Sequence, residues 1–112
     1  MVEYNPKGEF MSVEGGVYFN ELLAIYGKML TEKHRAVAES YFGLDLSLGE
    51  IAEINGISRQ SVADALSATK RKLIDYEEKL GVFALKSSLR RAVAEKDEKK
   101  AIEEIKNILG EV

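Results

Sequence analysis

Within seven residues, Ser58, Arg59, Gln60, Ser61 and Asp64 offer almost every kind of side-chain hydrogen-bonding group. An arginine fork pairs with guanine or phosphate, and a glutamine amide matches adenine. Serine hydroxyls reach phosphate oxygens, and an aspartate accepts from cytosine. Lys70, Arg71 and Lys72 follow about three helical turns further on, where cations would touch a nucleic-acid backbone more easily than its bases. Other chemistry has little to work with. The single histidine, His34, sits among Glu32, Lys33 and Arg35 and reads as a surface residue. Without cysteine there is no disulfide and no thiolate metal site. Asp75, Glu77 and Glu78 lie beside Lys72 and Lys79 and read as a solvated, ion-paired face. No glycine-rich phosphate loop follows a strand. The expectation is a binding protein with no catalytic residues, no metal and no cofactor.

These residue types fit an exposed polar helix face equally well, so the elements that carry them matter. Ser47 and Glu50 have the S-x-x-E spacing of a capping box, which opens a helix at Leu48 carrying Leu48, Ile51, Ala52 and Ile54. Asn55-Gly56 ends it, because glycine adopts a left-handed backbone cheaply. Ser58 caps the next helix, from Arg59 to about Leu80, where Gly81 stops it. Ala52, Gly56 and Val62 then provide a small residue at a crossing, a glycine in the turn and a β-branched residue facing back. Ile51, Ile57, Ala65 and Leu66 fill the angle between the helices. This is the pattern of a helix-turn-helix over 47–66, whose second helix would enter a major groove by its start.

The remaining chain extends the helical reading. Residues 1–16 read as a flexible leader closed by Gly15-Gly16, with Met11 a second candidate start, and 17–112 as one domain. From Val17, one face carries Tyr18, Leu22, Ile25, Tyr26 and Met29. Thr31 caps a helix from Glu32 to about Phe42, with Val37, Ala38, Tyr41 and Phe42 inward. "GLDLS" is a loop. Helical pattern resumes from Phe83 to Glu95 and, with Asp97 as a possible cap, from Glu98 to Leu109, as one helix or two. Val, Ile and Thr nowhere alternate far enough to suggest a sheet, so the fold class is all-α.

Composition limits the partners. Of 112 residues 46% are apolar and 31% charged, which suits one folded domain, and the formal net charge is −3. Between Leu48 and Lys72 four cations (Arg59, Lys70, Arg71, Lys72) face three carboxylates (Glu50, Glu53, Asp64). That is a small excess for a surface meant to neutralise phosphates. A second basic cluster comprises Lys86, Arg90 and Arg91. No apolar run is long enough to cross a bilayer and the first residues lack a signal-peptide pattern, so a cytoplasmic location without membrane insertion is expected. Val62, Leu66, Thr69, Leu73, Tyr76, Leu80 and Phe83 recur at steps of four and three. This heptad seam serves either packing within the chain or pairing with a second copy. A homodimer would use Leu66, Leu73, Tyr76, Leu80 and Phe83.

"LSLGEIAEINGISRQSVADAL" followed by "KRKLIDYEEKLG", with "LT" at 30–31 and "YF" at 41–42, resembles the YlxM-like helix-turn-helix family of bacteria. The likeness runs from about Asn20 to Leu80, with "LTEKHR" where a proline-bearing "LTPKQR" is expected. Genes of that family neighbour those of the signal recognition particle, and its helix-turn-helix core is shared with the C-terminal DNA-reading domain of sigma factors. The resemblance implies a sigma-factor-like fold with a long second helix and extra C-terminal helices. It also implies dimers and an accessory role in targeting by the signal recognition particle. Were nucleic acid the ligand, Ser58, Arg59, Gln60 and Ser61 would carry it. Two readings stay open: a regulator that binds DNA or RNA, and a protein-interaction module that modulates the targeting GTPases without binding DNA.

Overall fold

A computed structural model of the chain describes residues 2–4 and 10–110, with side chains from residue 16 onward. Strands β1 (Val2–Tyr4) and β2 (Phe10–Ser12) pair antiparallel, with Val2 opposite Ser12 and Tyr4 opposite Phe10. Six helices follow: α1 (Val13–Tyr26), α2 (Glu32–Ala38), α3 (Leu48–Asn55), α4 (Arg59–Leu80), α5 (Val82–Ala94) and α6 (Glu98–Ile108). The architecture is all-helical apart from that hairpin. The stretch read as a leader therefore holds two strands and the first turn of α1, which runs through Gly15-Gly16. Three-residue strands are too short for alternation to register in a sequence. Residues 1 and 5–9 of that stretch lie outside the described residues.

Two joined clusters make the core. In one, Ile51 and Ala52 of α3 meet Val62, Ala65 and Leu66 of α4, with Val37 and Tyr41 closing the angle. In the other, Leu22, Leu23 and Tyr26 of α1 enclose Leu30, Ala38 and Leu73. Phe42 packs against both clusters and stacks on Phe19, their ring centroids 5.6 Å apart. Fully burying a side chain such as Ile51 or Val62 stabilises by roughly 1.5–3 kcal/mol, so α4 is held along its whole inner face. Thr69, the polar break in the seam, is fully buried and donates its hydroxyl hydrogen to the Ala65 carbonyl at 2.7 Å. A satisfied hydroxyl costs little there.

Local departures from the expected faces have local causes. α1 ends in a 3-10 turn, Gly27–Met29. Its tighter winding leaves Met29 exposed and carries Leu30 into the core in its place. After Ala38 the chain widens into a π turn, Glu39–Gly43, closed by the Leu44 N–H on the Glu39 carbonyl. Ile54, one of the four apolar residues that the sequence gives α3, is 71% exposed. Two residues beyond Ala52 it falls about 200° round the helix, and Ile57 in the turn covers the corner instead.

The C-terminal segment is two helices. Asp97 caps α6, accepting from the backbone N–H of Lys99 at 2.9 Å and Lys100 at 3.4 Å. α6 packs on α5 and contains no buried residue of its own. The molecule measures 55 × 27 × 18 Å, with a radius of gyration of 17.3 Å. A compact chain of this size would give about 13 Å.

What ties this arm to the body is Glu77. Gly81 has φ 63° and ends α4 while starting α5, so the new helix has no capping side chain at its own boundary. The carboxylate one turn back supplies it. Glu77 accepts from the N–H of Phe83 at 2.9 Å and of Ala84 at 3.1 Å. Tyr26 of α1 donates its hydroxyl to Glu77 at 2.6 Å and accepts from the N–H of Val82 at 3.1 Å. The first three N–H groups of α5 are thus satisfied by two side chains from other helices. Glu77 is therefore a structural cap, which corrects its reading as part of a solvated face. Asp75 does pair with Lys79, at 2.9 Å on the exposed side.

Burial pushes the Glu77 carboxyl up, but the hydrogen bonds from Tyr26, Phe83 and Ala84 outweigh it and hold its pKa below the ordinary value of 4.5. A depressed carboxylate stabilises the fold above the unfolded pKa, and that contribution fades as pH falls through the folded one. Glu77→Gln is expected to cost about 1–2 kcal/mol at pH 7. In urea titrations the gap to the parent should close as pH drops below 4.5. A gap that stays constant with pH contradicts the capping role.

Candidate nucleic-acid interface

The corner at Gly56 is made by backbone conformation and closed by caps on both sides. Ser47 accepts from the Glu50 N–H at 3.1 Å, and Glu50 accepts from the Ser47 N–H at 3.0 Å, completing the capping box. Gly56, at φ 65° and ψ 33°, directs its N–H to the Glu53 and Ala52 carbonyls, and the Ile57 N–H returns to Ala52. A Cβ at Gly56 would meet nothing within 4 Å, so glycine is needed for its φ and not for space. Ser58 then caps α4, accepting from the Ser61 N–H at 3.0 Å.

With Val62, Ala65, Leu66, Thr69 and Leu73 turned inward, helical geometry sends Gln60, Asp64, Ser67 and Arg71 outward along one stripe, and all four are exposed. Arg59 and Ser61 flank its leading end, also exposed. Ser67 was missed in the sequence. Its signal was the outward step of three and four from Asp64 to Arg71. Among the described residues, neither Arg59 nor Arg71 stands within ion-pair distance of a carboxylate. Both are free to meet an anion.

The polar groups of this edge are partly engaged with one another. Ser58 also donates its hydroxyl hydrogen to the Ser61 hydroxyl at 2.9 Å, which leaves the Ser61 hydrogen available. Gln60 donates to Asp64 at 2.9 Å, so reading adenine with both ends of its amide means exchanging that contact. Asp64 is thereby held on Gln60, one turn back along α4.

The basic cluster divides. Lys70, expected on the phosphate side, is half-buried, with its ammonium over the rings of Phe19 at 5.5 Å and Phe42 at 5.8 Å. Burial lowers its pKa, and the contact is a cation–π one that braces α1 against α4. The structure therefore takes Lys70 out of the outward set. Arg71 remains outward. Lys72 turns aside to His34 on α2, at 3.4 Å.

The residues expected at a pairing face divide too. Leu66 and Leu73 are buried in the chain's own core, which removes them from any surface. Tyr76 and Phe83 are half-buried, Tyr76 donating to the Met29 carbonyl and Phe83 meeting Tyr18 edge-on at 5.0 Å. Leu80, just before Gly81, is exposed. The seam is filled by α1, α2 and α3 because those helices lie on it. Of the second basic cluster, Arg90 lies 3.7 Å from Glu21 on α1, and Arg91 donates to the Ser88 hydroxyl.

Residues 13–110 match a family described as "Putative helix-turn-helix protein, YlxM / p13 like". The chain belongs to this family. Its segment shared with a "UPF0122 protein" of Desulforamulus reducens is 43% identical over 76 residues, or 68% of this chain and 65% of that protein. A relative from Lacticaseibacillus casei is also 43% identical, over 66% of each chain. With these two the chain shares a little under two thirds of the relatives' length. A Fusobacterium nucleatum relative is 34% identical over 88% of this chain and 96% of its own. For a family of helix-turn-helix type, the corner at Gly56 and the exposed start of α4 are the parts that give the description physical content. Among the described residues no helix is long and apolar enough to cross a membrane, and no cluster could hold a metal ion.

The cap and the outward role of Ser58 are separable. Ser58→Ala should lower stability by about 1 kcal/mol in thermal melts, and Ser58→Asp should recover it by accepting from the same N–H. Equal losses for both replacements would show that the hydroxyl does something other than cap.

Proposed function

We propose that this protein is a non-enzymatic regulator that binds double-stranded DNA by the leading half of α4. One observation carries the reading: the first turns of α4 bare Arg59, Gln60, Ser61, Asp64, Ser67 and Arg71 while the opposite stripe is locked into the corner with α3. In that posture Arg59 and Gln60 reach base edges, and Ser58, Ser61 and Arg71 contact phosphates. The free N–H groups at the start of α4 add a partial positive charge toward the backbone. Because Lys70 is withdrawn onto Phe19 and Phe42, few cations face outward. Non-specific affinity should therefore be weak, with a shallow dependence on salt.

A second reading has its own observation. Leu85, Leu89 and Val93 of α5, with Ile102 and Leu109 of the α6 region, are 40–85% exposed. Leu85, Leu89 and Val93, four residues apart, share one face of α5, unlike the polar outer face of α4. A protein partner, such as a component of the signal recognition particle or a second copy of this chain, would dock there and not on the α4 seam. The nucleic-acid reading is preferred because the α4 edge combines the required groups in one rigid array.

Fluorescence anisotropy with a random-sequence DNA duplex and a structured RNA, at 50 mM and 200 mM salt, tests this. DNA binding should weaken with salt, and Arg59→Ala should cost about 1–3 kcal/mol on a preferred sequence. Binding to RNA alone, or to neither, overturns the proposal.

A further inference from the structure

Lys72 and His34 pose a physical problem that the α4 stripe does not solve. The Lys72 ammonium lies 3.4 Å from His34 Nδ1, bringing together two groups that are both cationic when protonated. Among the described residues, neither has a carboxylate within ion-pair distance. On α2 itself, the carboxylate of Glu32 stands two residues before His34. Lys33 adds a third positive group. From α4, Lys72 faces the ring. The nearest acid of the π turn, Glu39, is engaged by Arg35 at 3.7 Å. Burial, followed by Lys72 and Lys33, holds the His34 pKa below 6.5. The ring is therefore neutral near pH 7. It accepts from Lys72 at Nδ1 and keeps its proton on Nε2, on the far side of the ring. Once Nδ1 itself carries a hydrogen, the ring and the ammonium, 3.4 Å apart, can turn donors toward a single anion.

Position ties this pair to the α4 edge. Ser61 and Lys72 are eleven residues apart, about three turns, and so lie on one line along the helix, with Lys72 roughly 16 Å behind Ser61. Gln60 and Arg71 repeat that relation one residue earlier. A helix that enters the major groove by its start brings such positions to the level of the flanking phosphates, since the groove is only about 12 Å wide. α2 lies on α4 at that point.

We infer that His34, Lys72 and Lys33 form a two-helix clamp for one phosphodiester of bound DNA, with the phosphate replacing the contact between Lys72 and Nδ1, His34 donating through Nδ1 and Lys72 supplying the charge. The clamp rests on the DNA-binding reading and adds to it α2 as a second contacting helix. A docked phosphate supplies the missing negative charge, so it raises the His34 pKa, and binding tightens as pH falls through that value.

His34 is the only histidine in the chain, so its ring protons give a unique NMR signal. Its pH titration should be followed without DNA and with a saturating random-sequence duplex at low salt. The duplex should move the His34 pKa upward by about one unit, and Lys72→Gln should abolish most of that movement. The same variant should lower the salt slope of binding by about 0.9, one phosphate contact, while His34→Gln should remove the tightening at low pH. Duplex binding with an unmoved His34 titration and an unchanged slope overturns the clamp and leaves the α4 reading intact. Absence of any duplex binding overturns both.

Discussion

The left-handed backbone at Gly56 is the constraint from which the rest of the molecule follows. It turns the chain between two helices, each fixed at its start by a serine, Ser47 for α3 and Ser58 for α4. Neither helix could shift by a residue without losing its cap. That register sends Val62, Ala65 and Leu66 against Ile51 and Ala52, and it leaves Arg59, Gln60 and Ser61 facing solvent. Burial on one side and display on the other are two consequences of a single turn. The outward groups are accordingly pre-positioned, which limits the conformational entropy that binding would have to offset.

The same economy governs the arm formed by α5 and α6. Gly81 repeats the left-handed turn of Gly56 but has no serine beside it. Glu77 and Tyr26 take over the capping from the preceding turn and from α1, and so connect three helices through one carboxylate. Burial and the bond to Glu77 push the Tyr26 hydroxyl pKa up, consistent with a phenol that keeps its proton while serving that carboxylate. The arm is well attached at its root, yet its outer flank keeps apolar side chains in the open.

Much of this could be read from residues whose roles are local. The capping box, the two glycine turns, Asp97 as a cap, and the inward pattern of α2 and α4 each depend on neighbours three or four positions away. What escaped the sequence depends on residues distant along the chain. Glu77 and Tyr26 are separated by 51 residues, and no spacing rule foretells their meeting. Lys70 lies on a polar run, but Phe19 and Phe42 are waiting for it across the fold. Lys72 and His34 came together because α2 crosses α4 at that level. The 3-10 turn after α1 and the hairpin at the N-terminus are too short to leave a periodic trace. Charge patterns predicted a sparse cationic surface, and the folded chain makes it sparser by turning Lys70 inward.

The central claim is that the start and outer stripe of α4 form the contact surface. Backbone amide shifts mapped by NMR while a DNA duplex is added at low salt test it most directly. The account predicts changes concentrated at residues 58–61, 64, 67, 71 and 72, with α5 and α6 unmoved. Changes confined to the apolar flank of α5 and α6, or none along α4, would contradict it.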